Sequence, residues 1–236
     1  SLYRAFDFNL LSQPQNLGRP FKIYSPFWRH LQANVPIALP LGTPDFQSCH
    51  QHQLPRHIGA IPLDLPFKGP VWWKDMEDFW SIGEAAALKK WKIFCEDAIR
   101  DYGTNKEIPG VDGTSQLSPH LHFGEISVRQ MWRDLHDIDE GDGKTKFMAQ
   151  LGWREFSHNL LHHNPHLRTK PLQEKFEHYP WVYDQNLFNK WTRGNTGIPL
   201  VDAGMRQLWQ TGWMHNRVRM ITASFLSKNL RLPWQW

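Results

Sequence analysis

Cysteine is nearly missing from this chain. Only Cys49 and Cys95 occur in 236 residues, and neither sits in a metal-ligand spacing. That excludes a disulfide scaffold and favours a reducing, cytoplasmic setting. Long apolar runs are missing too: none approaches the roughly 20 residues that cross a bilayer, and no signal-peptide pattern opens the sequence. Internal repeats and low-complexity tracts are also absent. Charge of one sign is in modest excess, a net +4, which permits a phosphate-bearing partner without requiring one.

Tryptophan, by contrast, is abundant, with 13 residues, and aromatics make up 14% of the chain. An indole is a costly core filler because its N–H wants a partner when buried. Each Trp therefore reads either as core or as a stacking surface.

Residues 1–78 hold most of the proline and show little periodicity beyond one helical stretch around Pro26 to Leu31. "NVPIALPLGTPDF" and "IGAIPLDLPFKGP" read as extended connectors, since each Pro bars helix and restricts its predecessor. Residues 80–236 read as all-α. Ser81 and Glu84 of "SIGE" have capping-box spacing, followed by Leu88, Trp91, Cys95, Ala98 and Tyr102 at helical intervals. "SVRQ" at Ser127 is a second box, followed by Val128, Met131, Trp132 and Leu135. A third helix runs from Lys144 until Pro165 stops it, and a short one spans Asp184 to Trp191, closed by Gly194. Another starts at Pro199 and ends near Gly212, where "WMHN" opens the last, with Met214, Val218, Ile221 and Phe225 as its core stripe.

Two helix faces suit neither water nor a dry core. Trp213, Asn216, Arg219 and Met220 share one arc, and Phe147, Gln150, Trp153, Arg154 and Ser157 share another. Such faces fit a ligand pocket with stacking surfaces and aimed hydrogen bonds, or a buried polar network between helices. "GTSQLSPHLHFGEIS" offers the hydroxyls and backbone donors of Thr114, Ser115 and Ser118 beside a helix start, which suits a phosphate and equally an ordinary Ser/Thr turn. His158 and His162 stand four apart on one helix, with no acidic or cysteine partner to complete a metal site, and read as a solvated face. His120 and His122 read as loop packing.

The stretches "YSPFWR", "GTSQLSPHLHFGEIS", "LGWREFSHNLL", "GNTGIPLVDAGMRQLWQTGWMHNRVRMITASFL" and "LPWQW" resemble, in order, those of the photolyase/cryptochrome family, most of all the bacterial cyclobutane-dimer photolyases. The resemblance implies a mainly α fold. Residues 1–12 would end an α/β antenna domain, 13–78 would form the interdomain linker, and 79–236 would be the N-terminal part of a helical FAD-binding domain. The Ser1 start and Trp236 end read as cuts, so a fragment is expected. The implied cofactor is FAD, with a second antenna chromophore of folate or deazaflavin type in a full-length parent.

Carried over position by position, the FAD-binding residues would be Tyr102, Thr114, Ser115, Leu117, Ser118, Phe147, Arg154, Trp213, Asn216 and Arg219. Several bacterial relatives have Arg where this chain has Gln116. The lesion-facing, catalytic set would be Gln150, Trp153, Asn216 and Met220, with Trp181 and Trp234 in an electron-transfer chain. The implied activity is blue-light-driven DNA repair, in which a flipped cyclobutane pyrimidine dimer receives an electron. The partner would be UV-damaged DNA, and the protein a bacterial, nucleoid-associated monomer with no membrane contact. Gln150 departs from the pattern, since cyclobutane-dimer photolyases typically carry Glu there. The (6-4) photolyases share a Gln but carry a second histidine where Asn216 stands. Plant-type cryptochromes share "VDAGMR" and "GWMHNR", so a blue-light photoreceptor on the same scaffold is the alternative function. A helical nucleic-acid-binding module without cofactor is a third reading.

Overall fold

A computed structural model describes residues 20–34, 40, 42 and 72–236. The expected α/β end at 1–12, most of the expected linker at 13–78, and Cys49 lie outside the described residues. Among the described residues there is no strand, and ten α-helices follow one another. They are α1 Tyr24–Asn34, α2 Lys74–Glu77, α3 Glu84–Ile93, α4 Tyr102–Asn105 and α5 Ser118–Phe123, then α6 Val128–His136, α7 Asp142–His163, α8 Gln185–Thr192, α9 Pro199–Thr211 and α10 Asn216–Ser224. This is the expected mainly α architecture.

Side-chain caps set several boundaries. Ser127 Oγ accepts the Arg129 N–H at 3.1 Å and starts α6. Asp184 Oδ1 accepts from Asn186 N at 2.8 Å and Leu187 N at 3.0 Å and starts α8. Gly212, left-handed at φ 70, closes α9.

Several expectations are corrected. Ser81 does not cap α3, whose N-cap is Gly83 with no side-chain bond. Gln130 does not complete the second box but donates to Asp134 Oδ1 at 2.7 Å. Leu88 is 41% exposed, and Ala87 is buried in its place. The chain then widens into a π turn at Phe94–Ala98 that rotates the buried face, so Phe94 and Ile99 are buried while Cys95 and Ala98 are only partly so. Ile221 is likewise 41% exposed, with Val218 and Thr222 the buried residues of α10, and a second π turn at Phe225–Asn229 follows and buries Leu226.

Two apolar clusters hold the helices. The larger joins α1, α3, α6 and α7, and is aromatic at its centre, with Phe147 4.8 Å from Phe94 and 5.3 Å from Tyr102 between ring centroids. Trp91 stacks on Phe147 at 5.5 Å, and its indole N–H finds Asp134 Oδ2 at 3.0 Å. The smaller cluster joins α9 and α10 through Val201, Met205, Met214 and Val218. Gly204 makes it possible, because a Cβ there would run into Val218 Cγ1. Asp202 pins the turn before α9, accepting from Thr196 N at 2.8 Å, Thr196 Oγ1 at 2.6 Å and Gly197 N at 2.9 Å.

Candidate functional site

The hydroxyl-rich loop precedes α5. Thr114 and Ser115 are half-buried, Ser118 is exposed, and Leu117 is buried beneath them as the loop's anchor. Gln116 takes a left-handed φ of 49 and donates to Asp112 Oδ1 at 3.1 Å. Lys90 of α3 reaches the same side chain, its Nζ 3.2 Å from Gln116 Oε1 and 4.8 Å above the Trp80 ring. Burial lowers the Lys90 pKa, against the opposing pull of Asp112. A cation thus stands on this loop although the loop's own sequence has none.

Trp80 joins the loop to the α9–α10 turn. Its indole N–H donates to Thr211 O at 2.6 Å, one residue before Gly212. The turn then runs without regular structure through Trp213, Met214 and His215 before α10. Trp213 is therefore not on α10, as its spacing suggested, but on this turn, where its N–H meets Thr211 Oγ1 at 3.1 Å. His215 Nδ1 accepts the Arg217 N–H at 3.2 Å and caps α10. Asn216, Arg219 and Met220 stand on α10, with Asn216 and Met220 exposed, and Arg219 Nη2 reaches Met214 O at 3.4 Å.

A second bridge ties α10 to the segment after α4. Arg217 Nε donates to Glu107, which Lys106 also meets at 2.5 Å. The bond from Arg217, then that from Lys106, holds the Glu107 carboxyl at about 2.

The α7 face grades from core to solvent. Phe147 is buried, Gln150 and Arg154 are half-buried, and Trp153 is 45% exposed. Phe147 and Tyr102 both lie inside the aromatic core, and burial, with a smaller push from Glu107, raises the Tyr102 phenol to about 12. Trp181 and Trp234 sit on segments that meet where Val182 N donates to Arg231 O at 2.8 Å. Trp234 is 40% exposed. Among the described residues no group of three His, Cys, Asp or Glu is placed to hold a metal ion. His120 sits on α5 rather than in a loop, buried, with Nδ1 2.6 Å from Glu125 Oε2.

The structure thus joins the loop at 113–118, the turn at 212–215 and the start of α10. Lys90, Trp80 and Glu107 were missed from sequence because each acts across distant segments. Only Lys90 left a trace, as a base beside the buried Trp91 of an otherwise apolar face.

Among the described residues the fold and site define an all-α domain in which side-chain bridges hold a hydroxyl loop to an arginine-bearing helix start, while the helix that carries Trp153 is anchored in the aromatic core. Residues 147–236 match the family model described as the FAD binding domain of DNA photolyase. Over 98% of its length the chain is 39% identical to the deoxyribodipyrimidine photo-lyase of Agrobacterium fabrum, covering 50% of that protein. It is 34% identical to Cryptochrome-1 of Arabidopsis thaliana over 99% of this chain and 36% of the relative. Its fold matches the crystal structure of a class III photolyase from Agrobacterium tumefaciens with a TM-score of 0.86 at 38% identity, covering 98% of this chain and 48% of that one. The chain belongs to the photolyase/cryptochrome family. It spans about half the length of the photolyases it matches. Among the described residues no helix is long and apolar enough to cross a membrane.

Proposed function

We propose that this chain contributes the FAD-phosphate wall and one lesion-facing wall of a blue-light-driven DNA photolyase. The observation that carries this reading is Trp153: a large indole left 45% exposed on a helix whose neighbours Leu151, Glu155 and Phe156 are buried. An apolar ring held in water beside guanidinium and amide groups suits a base that must be unstacked to be repaired. Photolyases as a class are known to take their target base out of the stack.

The donor set suits FAD in kind. Thr114, Ser115 and Ser118, with Lys90 behind them, offer hydroxyls and a cation to a pyrophosphate. Arg154, Arg219 and Asn216 offer donors to the polar edges of the flavin, and Trp213 a stacking plane. Tyr102, Leu117 and Phe147 would act from beneath, as the apolar floor that fixes the loop and α7, because all three are buried. Bound FAD, once reduced, supplies the light-driven electron; the protein's part is position and electrostatics. Trp153 and Met220 would flank the flipped pyrimidines, and Gln150 would donate an amide N–H to a thymine carbonyl. Trp181 and Trp234 would serve in electron delivery to the flavin. UV-damaged DNA is the partner, and residues 79–236 act as the N-terminal part of the helical FAD-binding domain, preceded by a linker at 13–78. An antenna chromophore would belong to a domain outside this chain.

A photoreceptor of cryptochrome type is the second reading, favoured by Gln150 in place of an acid and by the 34% identity to a cryptochrome. Dark binding separates the two. A repair protein binds an oligonucleotide carrying one thymine dimer well above intact DNA, and Trp153→Ala weakens that binding about ten- to a hundredfold, as base–aromatic stacking requires. Equal affinity for both DNAs contradicts the repair reading.

A further inference from the structure

Trp153 does not stand alone. Tyr24 of α1 lies over it with ring centroids 3.6 Å apart and planes 8° from parallel. Tyr24 is itself held by several contacts. Its hydroxyl donates to Ala149 O at 2.8 Å, one turn before Trp153 on α7. Trp28 runs nearly parallel to it at 6.2 Å and 11°, and Phe156 meets it edge-on at 5.8 Å. Burial raises its phenol to about 12, so it remains a hydrogen-bond donor throughout the physiological range. Gly152 allows the approach, since a Cβ there would enter the Trp28 ring and come within 3.0 Å of the Tyr24 hydroxyl.

A solvent-facing indole without such support samples several rotamers and loses that freedom when a ligand orders it. Here the ordering is made in advance, and one face of the ring is already covered. We propose that Tyr24 is a positioning residue that presents Trp153 as a one-faced platform for one base of the flipped dimer, so that α1 belongs to the substrate site. The inference rests on the repair reading. It adds that one aromatic plane stacks on the free face, and that the platform's stiffness comes from outside the helical domain expected at 79–236.

The test measures dark binding of an oligonucleotide carrying one thymine cyclobutane dimer, with the undamaged oligonucleotide beside it. Tyr24→Leu keeps apolar bulk but removes the plane. It should weaken dimer binding about three- to tenfold, the scale of one immobilised side chain, with intact-DNA binding unchanged. Tyr24→Phe keeps the stack and should retain most of the affinity. In a double-mutant cycle, Tyr24→Leu should cost nothing further once Trp153→Ala is present. Thermal unfolding of each variant identifies general loss of structure, and Tyr24→Met, which also removes the plane, carries the comparison if Tyr24→Leu does not fold. Losses that add in the cycle, or a Tyr24→Leu protein that binds dimers as wild type does, overturn the inference while leaving the repair reading intact. A Trp153→Ala protein that binds dimers normally overturns both.

Discussion

Arg217 of α10 donates its Nε–H to the carboxylate of Glu107, joining residues 110 positions apart in the chain. His215 completes the junction, with neutral Nδ1 accepting the Arg217 backbone N–H. The junction therefore needs Glu107 charged and His215 uncharged. Burial above all lowers the His215 pKa below its ordinary 6.5.

Acid should open this junction in two stages. Well above pH 6.5 His215 is neutral in both folded and unfolded chains and contributes no pH dependence. Below it the unfolded chain takes up the proton first, so stability falls as pH drops toward the folded-state value. The Glu107 contribution is present above 4.5 and is lost as pH falls toward about 2. Urea midpoints should decline from pH 7.5 to 5.5, and His215→Asn, which can still cap α10, should flatten that decline.

Gly204 sets the distance between α9 and α10. Gly204→Val places a side chain against Val218 in a contact that has no room even for a Cβ. Overpacking of this kind costs about 1–3 kcal/mol. Chemical denaturation should show at least that loss, with FAD binding weakened in parallel because the turn bearing Trp213 moves.

Lys90 supplies the positive charge on the hydroxyl loop. Lys90→Met should lower FAD affinity about tenfold or more, the scale of a charge-assisted hydrogen bond. Riboflavin, which lacks the pyrophosphate, should bind both proteins alike. Flavin fluorescence titration reads both constants.

Under the repair reading, Gln150 would offer an amide donor where the cyclobutane-dimer photolyases that the chain resembles typically carry Glu. Either donor gains as the thymine carbonyl becomes charged on reduction, where a hydrogen bond contributes roughly 1.5–3 kcal/mol. Only a protonated carboxyl can also give up its proton to that oxygen. Gln150→Glu should raise the quantum yield of dimer splitting with little change in dimer affinity.

Much of the helical frame was legible in the sequence because it is written locally. Asp184, Ser127, Pro199 and Gly212 each act within a turn of their own position, and each marks the boundary that its chemistry suggests. The errors arose where a local pattern was outvoted. Ser81 has the right spacing for a cap, but α3 begins beyond it. The two π turns each insert a residue that periodicity cannot register, and they shifted the buried faces of the segments that follow α3 and α10. Trp213 fell on a helical arc only because α10 was extended backwards over the turn. Of the candidate site, the loop, α7 and α10 were visible as odd mixtures of residues. The bridges through Lys90, Trp80 and Glu107 were not, since each depends on contacts between segments far apart in sequence.

Light-driven repair itself is measured most directly by a single-turnover assay. The full-length protein, with its flavin reduced, is mixed with an oligonucleotide carrying one thymine dimer and given calibrated blue light, with a dark control beside it. Intact thymines should appear only in the light, and Trp153→Ala should lower the yield at sub-saturating DNA. Light-driven flavin chemistry with no loss of dimer, at saturating DNA and with wild-type sequence, would contradict repair and leave the photoreceptor reading in its place.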